Sequence, residues 1–167
     1  MKKLLLIAVM FVTFSHLQAQ TKFGAQVNYS TSSVAALGFG AHAEFFINEK
    51  FSVQPAFDYY LAKDVASFGG LTISNKNWAI NADAHYYFMD DPMIYGIGGL
   101  SFFNTSVSTP AISLGGFGTI PSQDVSSSTF GINLGVGAVF GPAFFEAKYN
   151  SPLAGLVLTG GFKFGGK

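Results

Sequence analysis

Most of the titratable side chains that interrupt the apolar segments of this sequence sit at alternating positions. They are His42, Glu44, Asp58, Asp83, His85, Glu146, Lys148 and Lys163. A histidine beside a carboxylate can act as a general base, and histidines together with carboxylates can bind a metal ion. Either chemistry requires these side chains to meet. Whether they meet depends on the secondary-structure elements that carry them.

The segment 77–88 shows how such side chains are positioned. One set of alternate residues is wholly apolar, and it comprises Trp78, Ile80, Ala82, Ala84, Tyr86 and Phe88. Asp83 and His85 belong to the other set. Alternate side chains of a strand point to opposite faces, so this pattern predicts a strand with one apolar and one polar face. At about 3.3 Å per residue and a tilt of roughly 45°, its length suits the hydrocarbon core of a bilayer.

Seven more segments show the same alternation, and the predicted strands are 22–30, 37–47, 51–61, 77–88, 93–103, 130–140, 143–150 and 156–164. Glycines blur the fifth, in which we expect Tyr95 and Ile97 to face outward. Pro55 lacks a backbone donor, so we expect a bulge or weakened pairing there. The strands are joined alternately by short turns and longer links. The two longest links, 62–76 and 104–127, are predicted to be exposed loops.

Composition agrees with a membrane protein. Charged residues make up 11% of the chain, against roughly 25% in soluble domains, and there is no cysteine. Residues 1–19 combine two early lysines with a short apolar run and Ala19, which predicts a cleaved signal peptide followed by one domain over 20–167. The nine acidic residues then exceed the seven remaining lysines, so no nucleic-acid partner is expected.

These features predict an all-β fold, an eight-stranded antiparallel up-and-down transmembrane barrel. The chain resembles the small outer-membrane barrels of the OmpX and OmpA transmembrane-domain type. The resemblance rests on the signal peptide, the eight alternating strands, the glycine-rich segment 131–140 and the ending Phe162-Lys163-Phe164. It implies a Gram-negative outer membrane, contact with its lipid and lipopolysaccharide, insertion by the barrel assembly machinery, and a possible surface ligand bound through the loops.

The eight titratable residues would then lie in a lumen that side chains fill, because an eight-stranded barrel is narrow. We interpret them as a structural network, since buried charges must be paired. No catalytic residue, metal ligand or cofactor is predicted. Three alternatives stay open: a small porin-like channel, a lipid-modifying barrel enzyme using His42 or His85, and a soluble lipocalin-like barrel with the apolar rows inside.

The charge count of the lumen gives a testable prediction. Four carboxylates face two lysines there, so we expect His42 or His85 to be protonated near neutral pH. NMR titration of the imidazoles in micelles measures this directly. Two neutral imidazoles at pH 7 would contradict the prediction.

Overall fold

The chain folds into antiparallel strands that close on themselves. The computed structural model describes residues 21–33, 35–68, 71–90, 93–109, 111–113 and 119–165. The strands are β1 (Thr21–Ser30), β2 (Leu37–Asn48), β3 (Phe51–Phe68), β4 (Leu71–Asp90), β5 (Met93–Thr109), β6 (Ile112–Ser113), β7 (Thr119–Ile120), β8 (Gln123–Phe140), β9 (Ala143–Asn150) and β10 (Gly155–Phe164).

Eight of these strands form a closed barrel in the order β1-β10-β9-β8-β5-β4-β3-β2, and β1 also pairs with β2. The strands β6 and β7 form a separate two-stranded sheet. The first and last barrel strands pair in unbroken register from Phe23↔Phe164 to Ser30↔Val157. Closure removes the unpaired edges of a sheet, as the predicted barrel requires. The predicted eight-stranded fold is confirmed.

The large apolar side chains point away from the barrel axis. Phe23, Phe130, Leu134 and Phe164 are each more than 60% exposed, whereas the eight titratable residues named above are at most 5% exposed. The lipocalin-like alternative requires the opposite orientation and is therefore wrong. Within the described residues, no helix is long and apolar enough to cross a membrane. The predicted signal peptide, residues 1–19, lies outside them.

The orientation predicted for β5 is wrong. Tyr95 and Ile97 are buried at 0% and 3% exposure, and Leu100 is exposed on the outer face instead. Tyr95 is paired with Gly137 on β8, where a Cβ atom would overlap the tyrosine ring. Because Gly137 has no side chain, the narrow lumen has room for a large aromatic ring at this position.

Two predicted loops are largely strands. Much of 62–76 belongs to β3 and β4, and much of 104–127 belongs to β5 and β8. We call the end of the barrel where these two hairpins extend the hairpin end. The opposite end, where two-residue links join β2 to β3, β4 to β5 and β8 to β9, is called the turn end.

The pairing of β2 with β3 is interrupted between His42↔Ala56 and Phe45↔Val53 without a change of register, beside Pro55. Pairing is therefore weakened there, as expected, without a bulge.

A tight turn, residues 151–154, joins β9 to β10 at the hairpin end. The Ser151 N–H donates to the Ile132 carbonyl at 3.0 Å, and Leu153 N–H donates to Asn150 Oδ1 at 2.9 Å. Ala154 closes the turn in the left-handed region, with φ of 48°. A Cβ atom is unfavourable in that conformation.

We predict that Ala154→Gly stabilises the barrel by about 1 kcal/mol, because relief of the left-handed strain outweighs the greater freedom of glycine in the unfolded chain. Ala147→Gly, on the outer face of β9, is the matched control and is expected to destabilise by about 0.5 to 1 kcal/mol. Urea unfolding in micelles measures both. Equal destabilisation by the two changes would contradict the prediction.

Candidate functional site: the lumen and the hairpin end

All eight titratable residues predicted for the lumen lie inside the barrel. They are positioned by β2, β3, β4, β9 and β10, each of which turns its polar row inward. Most of them are joined by direct hydrogen bonds or ion pairs, and neutral side chains connect the rest. The lumen is therefore occupied by a polar network.

Glu44 is the centre of the network near the turn end. Its Oε1 atom accepts hydrogen bonds from Ser52 Oγ at 2.6 Å and from the Tyr87 hydroxyl at 2.5 Å. His85 Nδ1 lies 3.1 Å from the same oxygen, and Lys163 Nζ lies 2.9 Å from Oε2. Lys163 is on β10, so its ion pair with Glu44 on β2 spans the strand between them and ties the two sides of the β1–β10 closure together.

A second carboxylate, Glu146, lies on the other side of His85. His85 Nε2 is 4.0 Å from Glu146 Oε1, which accepts a hydrogen bond from the Tyr95 hydroxyl at 2.9 Å. Lys148 Nζ is 3.6 Å from Glu146 Oε2 and 2.9 Å from Asp83 Oδ2. Three carboxylates, one imidazole and two lysines thus lie close together across the lumen, and each lysine lies beside a carboxylate.

Asp58 lies among amides instead of cations. Its oxygens accept hydrogen bonds from Gln26, Asn28 and Asn81 at 2.6 to 2.7 Å. His42 joins this group through Nδ1, which is 2.9 Å from Gln26 Oε1. Asn133 connects the two groups, because it donates to both Asn81 and Asp83.

The network contains residues that the sequence analysis did not select as site residues. They are Gln26, Asn28, Ser52, Asn81, Tyr87, Tyr95, Asn133 and Asn150. Most of them occupy the polar row of a predicted strand, and that shared face is the signal that could have identified them. Tyr95 was assigned to the wrong face.

Apolar clusters lie on both sides of the polar network along the barrel axis. At the hairpin end, Ala35 and Leu153 from two links pack with Tyr60, Ala79, Phe103 and Val157. At the turn end, the cluster consists of Phe46, Tyr87, Tyr95, Ile97, Val139 and Phe144, with Met93 against it. We call these the hairpin-end cluster and the turn-end cluster. They separate the charged side chains from solvent at the two ends.

This geometry limits what the lumen can do chemically. The His42 and His85 side chains are 5% and 0% exposed, so neither is presented to a substrate in the surroundings. In the part of the chain that the structure describes, no group of three or more histidine, aspartate and glutamate residues is arranged to hold a metal ion. The lysines and three of the carboxylates form buried ion pairs, and Asp58 is held by amides.

The hairpin end carries a different kind of surface. Beyond the barrel, residues 61–68, 71–76, 104–109 and 123–130 continue as four adjacent strand segments, which we call the outer sheet. Residues 123–130 of β8 are exposed on both faces, whereas 104–109 of β5 are half-buried between their neighbours.

Comparison with known proteins assigns the barrel to a family. Residues 4–162 match the family described as outer membrane protein beta-barrel domain. The chain belongs to this family. A search of curated proteins gave no match.

Solved structures of outer-membrane proteins share the fold. A major outer membrane protein from Thermus thermophilus is 14% identical, with a TM-score of 0.57 over 88% of this chain and 100% of that one. Ail, the attachment invasion locus protein of Yersinia pestis, was solved in complex with the heparin analogue sucrose octasulfate. It is 14% identical, with a TM-score of 0.51 over 88% of this chain and 95% of that one.

Family membership indicates which side of the outer membrane each end of the barrel faces. Outer-membrane barrels have short periplasmic turns and longer outer connections. The turn end is therefore periplasmic, and the hairpin end with its outer sheet faces the exterior. The protein is an integral outer-membrane barrel whose Phe- and Leu-bearing rows face lipid.

We predict that Lys148→Met destabilises the barrel by about 3 to 5 kcal/mol, because Asp83 would be left as a buried unpaired charge. Adding Asp83→Asn should recover at least half of that loss. Lys50→Met, at an exposed periplasmic turn, is the control and should change stability by less than about 0.5 kcal/mol. The measurement is urea unfolding in lipid vesicles. A loss for Lys148→Met as small as that of the control would contradict the prediction.

Proposed function

We propose that this outer-membrane barrel is a surface-interaction protein, in which the outer sheet binds an extracellular macromolecule and the lumen network is structural. The observation that carries the proposal is the extension of four adjacent strands beyond the barrel, with 123–130 exposed on both faces. Strands that served only to cross the membrane would end near its surface. The additional length places an ordered polar sheet in the external medium.

The structural role of the lumen is supported by burial and by pairing. A lipid-modifying barrel enzyme would present its general base to lipid, but both histidines are enclosed. A porin-like channel would require a continuous aqueous path, but the two apolar clusters lie across the lumen. These observations favour a barrel without catalytic residues, cofactor or metal, in which His42, Glu44, Asp58, Asp83, His85, Glu146, Lys148 and Lys163 stabilise the fold.

The charge of the outer sheet favours a partner that is not a polyanion. Its four segments contain Lys63, Lys76, Asp64 and Asp124, so their formal charges cancel. Recognition of sulfate or phosphate groups typically uses clustered arginine and lysine. The mature chain has no arginine, and the outer sheet contains more serine and threonine residues than charged residues. A neutral protein or glycan surface fits this chemistry better than a heparin-like ligand.

Biogenesis follows from the same assignment. We propose that residues 1–19 are removed as a signal peptide and that 20–167 form the mature domain. Insertion would use the barrel assembly machinery, with β10 as the final strand. The lipid-facing rows would then contact membrane lipid and, in the outer leaflet, lipopolysaccharide.

The proposal is tested by shortening the outer sheet. In the test variant, residues 106–126 are replaced by Asn-Gly, so that β5 and β8 end near the membrane. The variant should still form a barrel with heat-modifiable migration, because the replaced segment contributes no residue of the lumen network. Proteoliposomes of the full chain should adhere to at least one of two coated surfaces, namely fibronectin and collagen. The variant should adhere at least tenfold less.

A matched variant shortens the other hairpin, with 65–73 replaced by Asn-Gly so that Asp64 remains opposite Ser74, and shows whether both hairpins are needed. Sucrose octasulfate at millimolar concentration should not compete with adhesion, given the neutral sheet. The proposal fails if the full chain adheres to none of the surfaces, or if the 106–126 replacement adheres equally well.

A further inference from the structure

A recess lies on the outer face of the barrel at the turn end. Its volume is about 720 Å³, and it is lined by Asn48, Glu49, Lys50, Phe51 and Tyr86. That volume falls within the range of roughly 300 to 1,000 Å³ that is usual for ligand sites. The recess belongs neither to the lumen network nor to the outer sheet, so the roles proposed for those two regions do not account for it. We call it the turn-end recess.

Backbone hydrogen bonds fix the walls of the turn-end recess. Phe51 on β3 is the pairing partner of Tyr86 on β4. The Tyr87 N–H donates to the Lys50 carbonyl at 2.8 Å, and the Lys50 N–H donates to Asn48 Oδ1 at 2.9 Å. These bonds hold the turn between β2 and β3 against β4. The charged side chains of the turn therefore start beside the two aromatic rings.

The turn-end recess joins a wall that faces lipid to a wall that faces water. Phe51 and Tyr86 belong to the outward rows of their strands, and Tyr86 is 53% exposed. Glu49 and Lys50 are exposed in the turn beyond them. Because the turn end is periplasmic, the recess lies where the hydrocarbon of the periplasmic leaflet meets water. Phospholipid headgroups occupy that layer, and aromatic side chains are enriched in it.

Glu49 and Lys50 carry opposite charges that the barrel itself does not use. Within the described residues, neither side chain forms an ion pair. The other two links at the turn end are Asp-Pro at 91–92 and Gly-Pro at 141–142, so neither contains a cation. Only the turn between β2 and β3 presents a cation and an anion side by side.

We propose that the turn-end recess binds the headgroup of a periplasmic-leaflet phospholipid that carries both a phosphate and a primary ammonium group. The Lys50 ammonium would donate to the phosphate, and the ammonium of the lipid would donate to the Glu49 carboxylate. The Tyr86 hydroxyl would donate to a phosphate or ester oxygen at the edge of the hydrocarbon. The outer sheet lies at the opposite end of the barrel, so this inference and the surface-interaction function fail separately.

Charge complementarity selects this headgroup among phospholipids. An anionic headgroup without an ammonium would satisfy Lys50 but would bring a second negative charge beside the Glu49 carboxylate. A quaternary ammonium has no N–H group, so it could not donate a hydrogen bond to Glu49. A primary ammonium next to a phosphate matches both side chains in charge and in hydrogen-bonding capacity.

The experiment measures lipid retention by the full mature chain in non-ionic micelles. Phosphatidylethanolamine, phosphatidylcholine and phosphatidylglycerol, all with dimyristoyl chains, are added in turn. Native mass spectrometry should show one retained phosphatidylethanolamine molecule, with an affinity at least threefold higher than that of either other lipid. The amide NMR shifts that change with phosphatidylethanolamine alone should be those of 48–51 and Tyr86, and the outer sheet should not respond.

Two substitutions separate the roles of the charges. Lys50→Gln should weaken retention of phosphatidylethanolamine at least threefold. Glu49→Gln should weaken retention of phosphatidylethanolamine and strengthen that of phosphatidylglycerol, so that the preference between them disappears. Lys76→Gln and Asp124→Asn, at exposed positions of the hairpin end, are the matched controls and should leave all affinities within twofold. Heat-modifiable migration checks that each variant is folded.

Three results would overturn the inference. Equal retention of the three lipids would identify contact with lipid in general. Retention that neither Lys50→Gln nor Glu49→Gln alters would place the lipid elsewhere on the barrel. Equal shift changes at 48–51 with soluble glycerophosphoethanolamine at the same concentration would identify a free zwitterion, and not a membrane lipid, as the ligand.

Discussion

The structure depends on the requirement that every backbone N–H and C=O group in the hydrocarbon layer be paired within the protein. Water is absent there, and an unpaired group costs several kcal/mol. The pairing of β1 with β10 meets this requirement, because it joins the only two strand edges that would otherwise meet lipid. Above the membrane the requirement no longer holds. Within the described residues, the strands β3 and β8, which are paired on both sides in the barrel, pair on one side only in the outer sheet.

Closure around eight strands leaves a narrow interior, and the side chains inside must fit and pair with one another. Gly137 accommodates Tyr95, and Gly99 similarly leaves space for the Asp83 carboxylate. Glu44 and Asp83 are each ion-paired with a lysine, and Asp58 accepts hydrogen bonds from amides. The lumen is thus a hydrophilic core whose packing constraints resemble those of a hydrophobic one.

Much of the barrel could be predicted from the sequence because lipid and lumen impose opposite polarity on alternate residues. In 77–88 the alternation is unbroken, and it correctly predicts that the side chains of Asp83 and His85 are buried. The rule fails in β5, where Gly96 and Gly98 occupy the outer row and the large residues Tyr95 and Ile97 turn inward. In this strand glycine faces lipid and tyrosine faces the lumen, which is the reverse of the apolar-outside pattern of the other strands. The polarity pattern therefore predicted the wrong orientation for Tyr95 and Ile97.

The outer sheet was missed for a related reason. Its exposed segment 126–129 is a run of serine and threonine without alternation of polar and apolar residues. A strand with water on both faces does not alternate between polar and apolar residues, so its sequence resembles that of a loop. The amide residues of the network were missed because asparagine and glutamine are common at wet strand positions. Only the three-dimensional register shows that Asn81, Asn133 and Asn150 adjoin one another.

The two apolar clusters at the ends of the lumen have a consequence for the range of media in which the barrel can work. Dissolved ions weaken attractions between charges that they can approach, over a distance of about 10 Å at 0.1 M. The Glu44–Lys163 and Asp83–Lys148 pairs lie behind aromatic and aliphatic side chains that exclude such ions. The internal electrostatics should therefore be nearly the same in fresh water and in brine, while contacts made by the external sheet remain subject to the salinity around the cell.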